Sequence, residues 1–355
     1  MNIKLENIDK CFEDKKPVIK NINLEIGSGE MVSFLGPSGC GKTTVLNIIA
    51  GLTQQSGGTV YFDGKNMNAV PVEKRNIGMV FQNYALYPHL SAFENIAFPL
   101  KMRKRPKAEI KERVNKTAGF LEIEKILHKK PRELSGGEQQ RVAIGRALVR
   151  ELAVLLMDEP LSNLDKKLRV QTREEIRRIQ QELNITAVFV THDQEEASAI
   201  SDKIVLLHDG IIAQYGTPYE LYNNPCNVFT AKFIGGVDIN IFEAQQEECS
   251  CFIPSLNMHI GEDVSLNNNK AAYIAVRPED ISVSKEKPDA VATIIMRENL
   301  GKDTIATLEY RNTQFKMYMP NHEEYKIGNQ VGILFNRDKL YIREEIFYLL
   351  LLFLQ

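Results

Sequence analysis

Apolar and polar residues alternate along Lys4 to Ile8 and again along Val18 to Ile26, the period of half-buried strands. Gly27 and Gly29 then mark a turn. Met31 to Leu35 is a more continuous apolar run and predicts a buried strand. Thr43 to Leu52 predicts a helix, with Val45, Leu46, Ile48 and Ile49 as its apolar positions. Thr59 to Phe62 reads as a short strand ending at Asp63-Gly64, and Ile77 to Phe81 as another, ended by Gln82. From about His89 to Arg150 the pattern is helical, with Ile110, Val114 and Leu121 at helical spacing. Ala153 to Met157 is almost wholly apolar, as in a parallel strand buried on both faces. Lys166 to Leu183 predicts a helix whose buried stripe is Leu168, Ile176, Ile179 and Leu183. Ala187 to Val190 and Ile204 to Leu207 predict two more buried strands. Apolar strands alternating with helices imply an α/β fold: a parallel sheet with helices on both faces.

The pattern changes after Gly235-Gly236. Short alternating segments follow: Ala272 to Val276, Val291 to Met296, Thr304 to Tyr310 and Val331 to Phe335. Asn267 to Asn269, Gly301, Asn321 and Gly328 supply turns between them. This predicts a small barrel-like β domain. The expected organisation is residues 1–235, with a helical part over about 88–150, then a β domain over 236–345 and an apolar tail over 346–355.

That tail, Ile346 to Leu354, reads IFYLLLLFL. As a helix it would cover only about 13 Å, too short for a bilayer that needs roughly 20 apolar residues. A partner, the protein itself or a membrane surface could receive it; a sequence-level oddity at the terminus is the alternative. The N-terminal stretch MNIKLENIDK has no apolar core of a signal peptide.

Composition narrows the classes. The chain of 355 residues has a net charge of −2, which offers no electrostatic footprint for nucleic acid. The basic run Lys101 to Lys107 reads as a solvated helix end rather than a binding patch. Five cysteines are an odd count; Cys249 and Cys251 form a C-x-C without a second pair at zinc spacing. Reduced thiols are the simplest reading.

The chemistry starts at Gly36 to Thr44, GPSGCGKTT, which fits G-x-x-x-x-G-K-[ST] between a strand and a helix. Gly36, Pro37, Ser38, Gly39, Cys40, Gly41, Lys42, Thr43 and Thr44 form a loop whose backbone N–H groups make an anion nest, reinforced by the helix N-terminus. Lys42 reaches the β- and γ-phosphates, and the Thr43 hydroxyl suits Mg²⁺. The alternative is a glycine-rich turn that binds nothing. Asp158 ends the buried strand in LLMDE and is a second Mg²⁺ candidate; Glu159, next to it, stands where a carboxylate orients or deprotonates an attacking water. The alternative for this pair is to cap the following segment. A third element, Leu134 to Gln140, LSGGEQQ, places Ser135, Gly136, Gly137 and Glu138 at the start of another helix, a second anion site or a plain N-cap.

With these motifs the chain resembles the ATP-binding cassette (ABC) family, in which LSGGQ is the signature and LSGGE an accepted variation. The resemblance covers about residues 1–235. It implies a P-loop (RecA-like) nucleotide-binding domain with antiparallel β and helical subdomains. It also implies that two cassettes dimerise head-to-tail, each signature closing over the other's ATP. Gln82 in VFQNYALYPHL matches the glutamine that senses the γ-phosphate and Mg²⁺. Ser162 to Asp165, SNLD, matches the loop that touches the opposite cassette, and His192 in VTHDQEEA the switch histidine. Phe12 stands where the family stacks an aromatic on adenine; a core phenylalanine is the alternative.

The resemblance extends past the cassette. VRPEDI (Val276 to Ile281) and LGKD (Leu300 to Asp303) are similar to the OB-like regulatory domain of importer ATPases for maltose, glycerol phosphate, polyamines and iron. YALYPHL and PLSNLDKKLR resemble the sugar branch, whereas FIGGVDINIF leans towards the polyamine branch. The resemblance implies a peripheral subunit on the cytoplasmic face of the membrane, working with two permease subunits and, indirectly, an extracellular solute-binding protein. A soluble ABC protein of ribosomes or DNA repair is the competing class. Such chains carry two cassettes or a long coiled coil, and this sequence has neither.

Overall fold

The computed structural model describes residues 1–12, 16–247, 250–262, 272–301, 303–319 and 325–344. The expected turns at Asn267 to Asn269 and Asn321, Cys249 and the tail Ile346 to Leu354 lie outside the described residues. Contacts divide the chain into two compact units, Met1–Pro218 and Tyr219–Gln355.

In the first unit, strands β1 (Ile3–Cys11), β2 (Pro17–Ile26), β3 (Met31–Leu35), β4 (Gly57–Phe62), β5 (Lys65–Asn66), β6 (Ile77–Val80), β7 (Val154–Asp158), β8 (Thr186–Val190), β9 (Lys203–His208) and β10 (Ile211–Gly216) form two sheets. The helices are α1 (Lys42–Ala50), α2 (Ala92–Met102), α3 (Lys107–Phe120), α4 (Gly136–Leu148), α5 (Lys166–Leu183) and α6 (Gln194–Ile200). A four-stranded antiparallel sheet has the order β2-β1-β4-β5. The central sheet has the order β10-β9-β3-β8-β7-β6. Its pairs are parallel except for β10, which returns antiparallel along β9. The sheet is therefore mixed rather than purely parallel, because a tight turn at Asp209-Gly210 lets β10 pair directly with the strand before it.

Alternation within the central strands separates two cores. Met31, Leu155, Met157, Ala187 and Phe189 face a core shared with α2, α3, α4 and α5. Val32, Phe34, Val154, Leu156, Val188 and Val190 face the other core, shared with α1 and the antiparallel sheet. Successive side chains of a strand point to opposite faces, so near-continuous apolar sequences fill both sides. On α5 the buried side is Thr172, Ile176, Ile179 and Gln180. Leu183 is 43 % exposed, a correction to the predicted stripe. It is the last residue of the helix, where Asn184 turns left-handed and takes the chain away. Lys101 to Lys107 is exposed across the end of α2 and the start of α3.

The second unit opens with α7 (Pro218–Asn223) and α8 (Val228–Phe233). Its strands are β11 (Asn240–Glu247), β12 (Ser250–Ile253), β13 (Met258–Glu262), β14 (Ala272–Val276), β15 (Ile281–Val283), β16 (Ala290–Asn299), β17 (Thr304–Tyr310), β18 (Thr313–Met319), β19 (Gln330–Phe335) and β20 (Tyr341–Glu344). They make two five-stranded antiparallel sheets, ordered β13-β12-β11-β14-β20 and β15-β19-β16-β17-β18. Phe242, Ile274, Ile294, Leu308, Phe315 and Phe335 lie in one core. Phe242 meets both Phe315 and Phe335 at 6.2 Å between ring centres.

Candidate nucleotide site

Strand order reverses at β3, whose neighbours are β9 and β8. Ligands of open α/β sheets bind beyond the carboxyl ends of the strands at such a point. The loop Gly36 to Gly41 leaves the end of β3 there and runs into α1, capped by Gly41 in the left-handed region. At Gly36, φ is +152°, and a Cβ would stand 2.2 Å from the Leu207 carbonyl oxygen, so a side chain does not fit. Gly39 also has a positive φ, +81°, but a Cβ there would meet nothing within 4 Å. The loop is thus closed against the protein at Gly36 and open at Gly39, as a cradle for an anion requires.

Lys42 is buried and folds back over the loop, its Nζ donating to the Gly36 and Pro37 carbonyls at 2.8 and 2.9 Å. Cys40 is buried beside it, and burial pushes its thiol pKa up. Ser38 and Gly39 are exposed, whereas Thr44 is half-buried on the first turn of α1.

Three further strand ends converge on the same end of the sheet. Asp158 ends β7, and its Oδ1 accepts a 2.9 Å hydrogen bond from Thr43 Oγ1. Burial raises the Asp158 carboxyl pKa, opposed by the Thr43 hydroxyl and by Lys42. Glu159 follows in a left-handed conformation, φ 46°, with its N–H donating to the Val190 carbonyl of β8 at 3.0 Å. Its carbonyl accepts from the Ser162 hydroxyl at 3.0 Å. This fixed backbone sets Glu159 Oε2 3.3 Å from Nδ1 of His192, which follows β8. Gln82 follows β6, and its carbonyl accepts from Asn163 Nδ2 at 2.9 Å. The Thr43 hydroxyl paired with a carboxylate is a donor set that fits Mg²⁺, a hard cation with oxygen ligands.

Phe12 is 47 % exposed, which overturns the core alternative for it, and its ring lies 4.7 Å from Lys10 Nζ. The signature residues sit elsewhere. Ser135 caps α4, accepting from Glu138 N, while Glu138 Oε2 accepts from Ser135 N at 2.7 Å. That is a complete capping box. It holds the Glu138 carboxyl pKa below its ordinary value, chiefly through the Ser135 backbone. A Cβ on Gly136 or Gly137 would press on Leu164 or Leu168, so this helix end abuts the start of α5. Among the described residues no hydrogen bond or ion pair joins Ser135 to Glu138 with the loop Gly36 to Thr44 of the same chain. Asp165 caps α5 through Leu168 N at 3.0 Å.

Two residues with a part in this surround carried no role in the sequence reading, and a third was read only as part of its loop. Asn163 stands inside SNLD. Arg169 donates to the Leu164 carbonyl at 3.0 Å and lies 3.9 Å from both Asp193 and Glu196 beyond His192. Arg146, on α4, reaches the Gln82 loop. Their partners are mainly backbone carbonyls far along the chain, which leave no local signature.

A phosphate loop, an acidic strand end and a Glu–His pair at the carboxyl edge of one sheet define a P-loop ATPase cassette. The ABC transporter family model matches residues 19–162, and the TOBE domain model matches residues 274–342. The uncharacterised ABC transporter ATP-binding protein YcjV of Escherichia coli O157:H7 is 43 % identical over 354 residues, 95 % of this chain and 96 % of that protein. The oligosaccharides import ATP-binding protein MsmX of Bacillus subtilis is 42 % identical, covering 95 % of this chain and 96 % of that one. The spermidine/putrescine import ATP-binding protein PotA of Haemophilus influenzae is 41 % identical, covering 93 % of each. Among solved structures, the ATP-binding cassette MJ0796 with ADP and Pi matches with a TM-score of 0.55 at 36 % identity. It covers 61 % of this chain and 98 % of that one. The chain belongs to the ABC transporter ATP-binding proteins, and it combines their ATPase cassette with a C-terminal TOBE domain. No helix among the described residues is long and apolar enough to cross a membrane.

Proposed function

We propose that this chain is the ATP-hydrolysing subunit of an importer. Two copies pair head-to-tail and power solute uptake through two separate permease subunits, from the cytoplasmic face of the membrane. The observation that carries this reading is the TOBE domain behind a complete cassette, in a chain whose relatives at 41–42 % identity over almost its whole length are named import ATP-binding proteins. The proposed functional division is 1–235 and 236–345, with α7 and α8 leading from cassette to β domain. A sugar or sugar-like solute is preferred, on YALYPHL and PLSNLDKKLR and on the relative named for oligosaccharides. A polyamine is the second reading, supported by FIGGVDINIF and by the relative named for spermidine and putrescine.

In this reading the residue roles are those that the family resemblance implies, and the geometry of the loop, Asp158 and the Glu159–His192 pair supports them. The amides of Gly36 to Thr44 and Lys42 hold the phosphates, and Phe12 takes the adenine on its exposed face. Thr43, Asp158 and Gln82 would hold Mg²⁺, which neutralises charge on the β- and γ-phosphates. Glu159 accepts the proton of the attacking water, and His192 beside it orients the γ-phosphate. Ser135, Gly136, Gly137, Glu138 and Asp165 face the nucleotide of the partner cassette. Phosphoryl transfer needs positioning and electrostatic stabilisation more than covalent chemistry. ATP then closes the dimer through its higher affinity for the closed state, and hydrolysis reopens it.

The test is to purify the Glu159→Gln chain from native membranes in Mg-ATP and identify what accompanies it. ATP binding should persist, and turnover should fall by about 10²- to 10⁴-fold, the usual contribution of a general base. Two polytopic membrane subunits, with or without a solute-binding protein, are the expected companions. A homodimer alone, or one attached to ribosomes, would remove transport and favour a soluble ABC protein.

A further inference from the structure

The loop after β6 carries two consecutive left-handed residues that are neither glycine nor asparagine: Tyr84 at φ 58° and Ala85 at φ 47°. Side chains disfavour this region, and such strain persists only where the surroundings over-determine it. Here the surroundings are three side chains that bind the loop by its backbone. Asn163 donates to the Gln82 carbonyl at 2.9 Å. Arg146 donates through Nη2 to the Tyr84 carbonyl at 2.8 Å and through Nη1 to the Ala85 carbonyl at 2.5 Å. The buried Asn95 accepts from Tyr87 N at 2.8 Å and donates to the Tyr87 and Leu90 carbonyls at 3.2 Å. The two strained residues are the two that Arg146 clamps.

Arg146 lies in the last turn of α4, the helix that begins at Ser135. Its guanidinium sits 5.9 Å from the Tyr87 ring, and among the described residues no carboxylate pairs with it. Its planar fork is therefore committed to two carbonyls of one turn, an arrangement a point-like ammonium does not reproduce. The turn itself closes through Tyr84 N to the Phe81 carbonyl at 2.8 Å and Ala85 N to the Asn83 carbonyl at 2.7 Å.

We propose that Arg146 is a positioning residue: a latch that ties the far end of the signature helix to the Gln82 loop and keeps that loop in its left-handed turn. With the latch closed, Gln82 is held at the nucleotide end of the sheet. When the latch opens, Tyr84 and Ala85 relax to ordinary backbone angles and withdraw Gln82. A shift of α4 then switches the loop between two discrete states rather than bending it gradually. The consequence for ATP turnover rests on the role proposed for Gln82; the latch itself does not.

The test reads the latch directly, by hydrogen exchange of the Tyr84 and Ala85 amides in the full chain. Arg146→Ala should speed their exchange by about tenfold or more, and Arg146→Lys by less. Ala85→Gly removes the side-chain penalty of the left-handed state and should restore protection about fivefold in the Arg146→Ala background. A merely structural arginine on α4 would gain nothing from a glycine at position 85. In ATPase assays Arg146→Ala should lower kcat with little change in KM, and Ala85→Gly should recover it. If Arg146→Ala fails to fold, Ala85→Gly alone must still slow exchange of the two amides about fivefold. Unchanged exchange in Arg146→Ala, or no effect of Ala85→Gly in either background, overturns the latch. A wild-type chain that lacks ATPase activity but responds in exchange as stated keeps the latch and removes the functional reading instead.

Discussion

Thr43 and Asp158 stand 115 residues apart in sequence and are joined by a 2.9 Å hydrogen bond from hydroxyl to carboxylate. The bond ties the first turn of α1 to the end of β7, so the two oxygen donors proposed for Mg²⁺ are preorganised side by side. Burial raises the pKa of the half-buried Asp158 carboxyl, and the Thr43 hydroxyl and Lys42 act against that rise. Asp158→Asn should therefore cut Mg²⁺-dependent ATP turnover by at least about a hundredfold. Thr43→Ala should act in the same direction, and neither should unfold the cassette. Titration of ATPase activity with Mg²⁺, alongside circular dichroism, checks this. Near-wild-type Mg²⁺ dependence in Asp158→Asn would remove it from the metal site.

Phe12 predicts a different kinetic signature. Its exposed ring beside Lys10 offers stacking area, and the role proposed for it is to hold the base rather than the reacting phosphate. Stacking binds ground state and transition state alike. Phe12→Ala should therefore raise KM for ATP about tenfold while kcat stays within about twofold, since base stacking is worth roughly 1–3 kcal/mol. Phe12→Tyr should keep KM. GTP should be used almost as well as ATP if stacking is the main base contact, because every base offers a π-face. An unchanged KM in Phe12→Ala would place the adenine elsewhere.

Glu138 gives the pH-dependent test. Its folded pKa is depressed below the ordinary 4.5, mainly by the Ser135 N–H. The sign follows: the carboxylate stabilises the fold at pH above about 4.5, and that stabilisation fades as pH falls through the depressed folded value. Glu138→Gln keeps an acceptor but loses the charge and its titration. Wild type should be more stable than Glu138→Gln at pH 7, and the gap should narrow as the pH is lowered past 4.5. Ser135→Ala, which breaks the other half of the box, should cost about 1 kcal/mol at either pH. Urea unfolding of the three proteins across this range measures all of it. A gap that stays constant with pH would mean that the box does not depend on the charge.

What could be read in the sequence, and what could not, divides along a physical line. The phosphate loop was legible because its residue types are set by backbone geometry that only those types allow, as Gly36 against the Leu207 carbonyl shows. The central strands were legible because burial on both faces leaves near-continuous apolar runs such as Leu155 to Met157. β10 was not read, since its residues are mostly half-buried and its pairing with β9 follows from the turn rather than from its own pattern. In the β domain, Ala272 to Val276 and Thr304 to Tyr310 were read to the residue. Asn240 to Glu247 was not, because its place is set by pairing with β14 more than by its own largely polar sequence. Leu183 was assigned to a buried stripe because period alone does not say where a helix leaves the core. Arg146 was silent, and Asn163 was read only as a member of SNLD, since a side chain that binds a carbonyl 61 or 81 residues away leaves no periodicity.

Arg277 opens the RPED part of the TOBE unit and is 1 % exposed. Among the described residues no carboxylate lies in ion-pair contact with this guanidinium, though Asp280 acts on it electrostatically, and backbone and aromatic groups hold it. Nη1 donates to the Ile234 carbonyl at 2.7 Å and Nη2 to the Tyr222 carbonyl at 2.8 Å. The guanidinium centre lies 3.7 Å from the Tyr222 ring centre, a stacking distance. One side chain thus fastens α7 and the end of α8 to the strand that ends at Val276. Burial lowers the Arg277 pKa, yet a guanidinium keeps its charge at neutral pH. Arg277→Met leaves two carbonyls without their donor and removes the stack, so it should cost about 2–4 kcal/mol. Arg277→Lys should recover part of this, because an ammonium reaches one carbonyl but does not fork between two. The loss should appear as early unfolding of the TOBE unit in differential scanning calorimetry, while ATP binding by the cassette survives. Equal loss of both units in Arg277→Met would show that the cassette depends on the TOBE unit for its own stability.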